Sequence, residues 1–440
     1  MMRLSTNLTG AVLFLAALTA PVAAEPRSAQ EARIVESVKA SLEEQIAFLG
    51  QAVDINSGTM NADGVRAVGE LFAGAFNDLG FETEWETLPA ELNRAGHFHA
   101  KREGERGHRV LLIGHIDTVF DGASEGTKFR RDGDKGWGPG TADMKGGDVV
   151  VLYALKALKE AGALDGARIE VLFTGDEEAP GKPVSVSRKS LIDAASRADI
   201  ALNFEGGEKG AVVTSRRGSS GWRLTTSGVR SHSSVIFSDE VGAGAVFEAS
   251  RILNEFYDKL RKEKYLTFNP GVIVGGTDVS YDPERTAGEA FGKTNVVAQK
   301  VVVDGGFRFI SEEQKEAARE RMRKIVDKHL PHTDAEIEFA DDGYPAMAPT
   351  DGNLALLAVF SKVSEDLGYG AVAGNDPAQR GAADVSFAAP IVSASMDGLG
   401  LRGEGAHTLE ESVDLASLEE VTARAAILIY RLTREDAPKF

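Results

Sequence analysis

Arg109-Val-Leu-Leu-Ile-Gly-His-Ile-Asp117 is the stretch on which the reading of this fold turns. Its apolar run lacks the in/out alternation of a half-solvated strand, so it suits a strand covered on both faces. Such strands belong to parallel sheets with helices on either side. Working outward, residues 31–49 and 65–79 repeat apolar side chains at helical spacing, and 81–88 and 98–102 are short and strand-like. Downstream, a helix over 144–161 ends at Gly162; a strand over 168–174, a helix near 189–195 and a strand over 200–204 follow. This alternation predicts an α/β fold with a doubly wound, mainly parallel sheet.

After residue 217 the rhythm changes. A strand at 222–227, a helix at 241–260, strands at 266–274 and 294–303, a helix opened by the capping pair Ser311 and Gln314, and a strand at 335–339 make the order βαββαβ. That is a complete small ferredoxin-like domain. A helix near 353–367, a strand at 390–395 and a helix at 415–432 then resume the first pattern. The expected organisation is therefore a catalytic domain in two parts, 25–217 and 341–440, with 218–340 inserted. Residues 1–24 read as a signal peptide: Arg3 precedes an apolar run from Ala11 to Leu18, and Val22-Ala23-Ala24 supplies small residues before Glu25. Cleavage there predicts a periplasmic or secreted protein with no remaining membrane span.

Composition narrows the chemistry. The 440 residues carry 49 basic and 67 acidic side chains, a net charge of -18, which disfavours nucleic acid and anionic membranes as partners. Cysteine is absent, so any bound metal must be held by carboxylates and some of the 8 histidines. His115 and Asp117, two residues apart at a strand end, leave the same face, and Asp117 can fix the imidazole tautomer. Gly138-Pro-Gly-Thr-Ala-Asp143-Met-Lys-Gly-Gly147 presents one acid just before a helix, where read alone it is equally an N-cap. Asp176-Glu177-Glu178 crowds three acids at the end of a buried strand, an arrangement that repels itself unless a cation is present; a solvated turn is the alternative. Glu205 ends the next strand before two glycines. Parallel strands bring these groups to one carboxyl edge, where open α/β sheets bind ligands.

The ordered set of Gly-His-x-Asp, Gly-x-Gly-x-x-Asp, Glu-Glu, a later acid, an inserted βαββαβ unit and a late histidine resembles the M20 metallopeptidase family from about residue 31 to the C-terminus. The resemblance implies two zinc ions, with cobalt or manganese as substitutes. In it Asp143 bridges the ions, His115 and Glu205 complete one, and Glu178 and His407 the other. Glu177 is then the general base, Asp117 orients His115, and the peptide bond after Asp143 is cis. Asn295 and Arg308, expected on either side of the strand near 296–303, would hold a substrate carboxylate, for which a guanidinium is suited. His232 would reach the active site of a partner subunit in a homodimer formed through the inserted domain. Read without the family, Arg308 is equally an edge-strand salt bridge and His232 a solvent-facing side chain.

Two segments depart from the family pattern. Arg380-Gly-Ala-Ala-Asp384 replaces a glycine-rich loop and puts a cation in or beside the substrate pocket, and Ser231-His232-Ser233-Ser234 changes the support of His232. Two lookalike motifs lack their context. Gly122-Ala-Ser124-Glu-Gly126 imitates a nucleophile elbow but is not followed by a helix, and Gly398 to Gly403 imitates a dinucleotide loop without the βαβ unit. The sequence thus predicts a di-zinc exopeptidase that hydrolyses an amide next to a free α-carboxylate of a small peptide. The rival within the enzymes is an N-acyl amino acid deacylase on the same site, and outside them a silent metal or peptide binder.

Overall fold

In the computed structural model, residues 28–122 and 127–440 are described. The expected signal peptide lies outside them, as does part of the elbow-like motif. Strand Arg106–His115 sits inside a six-stranded sheet, with Ala167–Thr174 and Ile200–Asn203 parallel on its two sides. Ala394–Met396 adds a further parallel strand beside Ile200–Asn203, while His97–Arg102 and Glu82–Glu86 pair antiparallel at the opposite edge.

The unbroken apolar run of the central strand is explained by two cores. Val110 and Leu112 point into a large cluster shared with Ile169, Val171, Ile200 and Leu202, and with the helices Gly146–Glu160 and Ser417–Leu432. Leu111 and Ile113 point the other way, into a smaller cluster with Leu172, Ala201 and the helix Lys189–Arg197. Successive side chains of a strand leave opposite faces, so burial on both demands apolar residues at every position.

The second sheet is antiparallel and has the strand order Thr267–Gly276, Lys300–Phe309, Gly218–Gly228, Thr333–Phe339. Its helices Ala245–Leu260 and Glu312–Val326 pack on it through Ile252, Phe256, Met322 and Ile325, forming a core separate from the first. This is the expected βαββαβ order. Ser311 caps its second helix, accepting from the Gln314 N–H at 3.2 Å while Gln314 Oε1 accepts from the Ile310 N–H at 2.9 Å.

Three expectations need correction. The helical stretch 31–49 is two helices, Ala29–Ala40 and Leu42–Val53, broken at Ser41, whose hydroxyl turns back to the Val38 carbonyl. The strand expected at 294–303 is Lys300–Phe309, so Arg308 lies within it rather than beyond it. A hairpin of Asp278–Asp282 and Ala287–Phe291, absent from the expected βαββαβ order, intervenes.

Candidate active site

The site forms where the parallel strands end. His115 is the last residue of its strand and is buried, with its Nδ1 3.3 Å from Asp117 Oδ1. Asp117 does more than orient that ring. Its Oδ1 accepts from the Glu177 N–H at 3.0 Å, and its Oδ2 accepts from the Glu178 N–H at 3.1 Å and the Thr59 hydroxyl at 2.7 Å. One buried carboxylate therefore ties the histidine to the acidic turn.

Asp143 stands on the turn ahead of the helix Gly146–Glu160, and its peptide bond to Met144 is cis. The turn is clamped from outside by Glu411. Its Oε1 accepts from the Ala142 and Asp143 N–H groups at 2.7 and 3.0 Å, and its Oε2 from the Gly140 N–H at 2.9 Å. Glu411 and His407 belong to one short hairpin, Gly403–Glu404 with Ser412–Asp414, so a single element carries both the clamp and the second histidine. Close backbone contact makes glycine necessary beside it: a Cβ on Gly400 would lie 2.1 Å from the Phe204 carbonyl oxygen and 2.8 Å from that of Glu205.

These elements bring five groups together. His115 Nε2 is 3.2 Å from Asp143 Oδ1 and 3.7 Å from Glu205 Oε1. His407 Nε2 is 3.1 Å from Asp143 Oδ2 and 3.2 Å from Glu178 Oε2. The two oxygens of Asp143 are thus divided between the two imidazoles, and each imidazole has one further carboxylate. Distance alone also groups Glu177 with His115 and Glu205. Of the two adjacent glutamates, Glu178 is the one in contact with His407.

Electrostatics give this arrangement its meaning. Burial, opposed by His115 and reinforced by the neighbouring carboxylates, pushes Glu178 up to about 8 and Glu177 well above the usual carboxylate range. Burial and the charge of Asp143 likewise push Glu205 up to about 8. His115 is desolvated too, yet its bonds to Asp117 and Asp143 hold the ring above the ordinary histidine value. Four carboxylates thus face two imidazoles. The site is short of positive charge, and its nitrogen and oxygen donors, split around one carboxylate, fit a pair of divalent cations.

Asp176 does not join this set. It is buried against Arg188, with Nη1 at 2.5 Å from Oδ1, so the three-acid run is two acids facing the site and one facing a buried guanidinium. Sequence reasoning also missed Glu411 and Lys145. Lys145 is buried and donates to the carbonyls of Ala52 and Ile55; desolvation pulls it down to about 7.

The inserted sheet separates its expected residues. His232 is exposed, bonds through Nδ1 to Ser234 Oγ, and lies beside Asn295, whose carbonyl accepts from the Ser233 N–H at 2.9 Å. Arg308 is far from them in register, opposite Thr267 and Ser219. It is half-buried, and desolvation together with the charge of Arg217 lowers its pKa; among the described residues neither arginine has an ion-pair partner. The salt-bridge reading of Arg308 is therefore set aside. Arg380 is bound to Glu208 at 2.5 Å.

A model of peptidase family M20/M25/M40 matches residues 111–431. The chain is a member of that family. It is 31% identical to carboxypeptidase G2 of Pseudomonas sp. (strain RS-16) over 394 residues, which are 88% of this chain and 89% of that one. It is 26% identical to a succinyl-diaminopimelate desuccinylase of Hydrogenovibrio crunogenus, covering 89% and 98%. Its fold is similar to that of YXEP of Bacillus subtilis, a dinuclear metal-binding M20 peptidase, with a TM-score of 0.62, 14% identity and coverage of 90% of this chain and 99% of that one. This M20 protein is a metal-dependent peptidase or amidohydrolase that hydrolyses C–N bonds, and among its described residues no helix is long and apolar enough to cross a membrane.

Proposed function

We propose that this protein is a di-zinc exopeptidase of the carboxypeptidase type, cleaving an amide next to a free α-carboxylate. The observation that carries the reading is the division of the two Asp143 oxygens between His115 and His407. His115 and Glu205 would hold one cation, His407 and Glu178 the other, with Asp143 shared. What such a pair supplies when bound is activation of water near neutral pH and polarisation of the scissile carbonyl. Cobalt or manganese would fit the same donors.

The remaining work falls to the chain's own residues. Glu177, whose carboxyl burial pushes above the usual carboxylate range, takes the proton of the attacking water at its carboxylate and returns it to the leaving nitrogen as the C–N bond breaks. Asp117 holds the Glu177 N–H and so fixes where that carboxylate begins. Arg308 and Arg217, which have no carboxylate partner among the described residues, offer the place for the substrate's α-carboxylate. Arg217 also donates to the Ala378 carbonyl, six residues before Asp384, whose charge acts on Glu177.

His232 and Asn295 sit beyond the Lys300 end of the strand Lys300–Phe309, whose run from Lys300 to Arg308 spans roughly 26 Å. A homodimer through the inserted domain, with His232 reaching a partner's site, accounts for that separation, and exposed Phe237, Phe247 and Ile273 suit a contact face. Export to the periplasm or beyond, after cleavage following Ala24, completes the reading. An N-acyl amino acid deacylase would use the same metals and the same arginines.

The test is a panel of N-blocked dipeptides and acyl amino acids, assayed on metal-reconstituted protein beside Glu177→Gln. The variant should lose about 10²- to 10⁴-fold in kcat while its metal content stays the same. An unchanged rate would refute the base assignment.

A further inference from the structure

Behind the acidic turn lies a buried cation that the reaction above does not use. Arg188 is fully buried, and all five of its N–H donors are engaged. Nε donates to Asp384 Oδ1 at 2.6 Å. Nη1 donates to Asp176 Oδ1 at 2.5 Å and to Ser187 Oγ at 2.6 Å. Nη2 donates to the Asp176 carbonyl at 3.2 Å and to the Tyr344 hydroxyl at 3.4 Å. That hydroxyl in turn donates to the Glu177 carbonyl at 3.3 Å.

The partners close the web. Asp384 Oδ2 accepts from the hydroxyl of Thr174, the last residue of its strand. Asp176 Oδ2 accepts from the Gly181 N–H and the Ser187 hydroxyl. His97 bridges the ends of the turn, its Nε2 2.8 Å from the Ser187 carbonyl and its Nδ1 accepting from the Gly175 N–H. The turn from Gly175 to Arg188 is therefore pinned at both ends. Within it, Asp117 holds the N–H groups of Glu177 and Glu178, while Arg188 and Tyr344 hold the carbonyls of Asp176 and Glu177.

We propose that Arg188 is a positioning residue for catalysis, which acts through Tyr344 and the Asp176 carbonyl to fix the backbone from which Glu177 reaches the substrate. It joins the acidic turn to Tyr344 and Asp384, which lie beyond the inserted sheet in sequence, so the base is registered against the second part of the catalytic domain. A salt bridge serving stability alone would not need to reach the carbonyls on either side of the Glu177 Cα, that of Asp176 directly and that of Glu177 through Tyr344. The proposal rests on the reading of Glu177 as the base.

The experiment compares Arg188→Lys, Tyr344→Phe and Glu177→Gln on metal-loaded full-length protein, with kcat, KM, bound metal and melting temperature measured for each. Tyr344→Phe removes only the hydroxyl, since the ring keeps its packing on Phe387 at 5.0 Å between centroids, and it covers the case in which Arg188→Lys fails to fold. The expected result is a kcat lower by about three- to tenfold for Tyr344→Phe and by about ten- to hundredfold for Arg188→Lys, with KM within about twofold and metal content unchanged. Full kcat in Tyr344→Phe, or a loss confined to KM, to metal content or to melting temperature, overturns the proposal. Turnover retained by Glu177→Gln overturns the base assignment instead, which separates the two failures.

Discussion

Replacing Glu411 tests how the site is built without touching a metal-facing group. Its carboxylate accepts three N–H bonds from the turn that carries Asp143, at 2.7, 2.9 and 3.0 Å. In Glu411→Gln the two bonds to one oxygen can persist, but the amide NH₂ then faces the Gly140 N–H, donor against donor. Losing one charge-assisted bond and burying an unmatched donor costs about 1.5–3 kcal/mol. In Glu411→Ala all three donors are orphaned; at about 1–3 kcal/mol each, less whatever water entering the vacated space restores, the loss is roughly 3–5 kcal/mol. Because the same hairpin bears His407, a loosened turn separates Asp143 from both imidazoles, and metal affinity should fall with stability. Urea unfolding of the metal-free variants, paired with calorimetric metal titration, reads both quantities. If Glu411→Gln unfolds within 0.5 kcal/mol of the parent, about the spread of neutral surface substitutions, and binds metal equally well, the clamp is not what holds Asp143.

Other outcomes follow from the same geometry. Arg308→Met should lower kcat/KM about ten- to hundredfold for a substrate with a free α-carboxylate, yet leave hydrolysis of its amide-capped form unchanged; equal losses on both would show that Arg308 does not read the carboxylate. Glu178 and Glu205, raised to about 8, carry protons in metal-free protein at pH 7 and must release them to bind a cation. Metal affinity should therefore climb from pH 6 to 8 and flatten above, with roughly one or two protons released per protein in calorimetry across buffers of different ionisation enthalpy; pH-independent binding contradicts this. Glu31 is pulled below the ordinary carboxylate value, its burial outweighed by bonds to Arg431 and Ser28. Its contribution is present above the unfolded pKa and fades as pH falls through the folded one. Glu31→Gln should thus lower the melting temperature at pH 7, and the difference should vanish once the pH has fallen through the folded-state pKa.

Much of this was legible because local pattern and chemistry coincided. The run from Val110 to Ile113 is apolar at every position since two cores compete for it, and that announces the sheet and the edge where His115 stands. Local pattern shows Asp143 only as an acid ahead of a helix; that two histidines share it was implied by the family resemblance alone. Asp176 was misread because its partner Arg188 is twelve residues on and returns through a turn that no periodicity marks. Glu411 meets the Asp143 turn across 268 residues, beyond the reach of spacing arguments. The hairpin of Asp278–Asp282 and Ala287–Phe291 was invisible for the opposite reason. Its second strand is exposed at every position and its first is only partly buried at alternate residues, so no buried apolar run marks it.

The account stands on two cations meeting around Asp143. Anomalous diffraction from crystals of the zinc-loaded protein, with the metal content of the same sample counted, addresses this directly. The prediction is two peaks about 3.5–4 Å apart with Asp143 between them, one contacted by His115 and Glu205 and the other by His407 and Glu178. A single peak, or a second ion out of reach of His407, would contradict it.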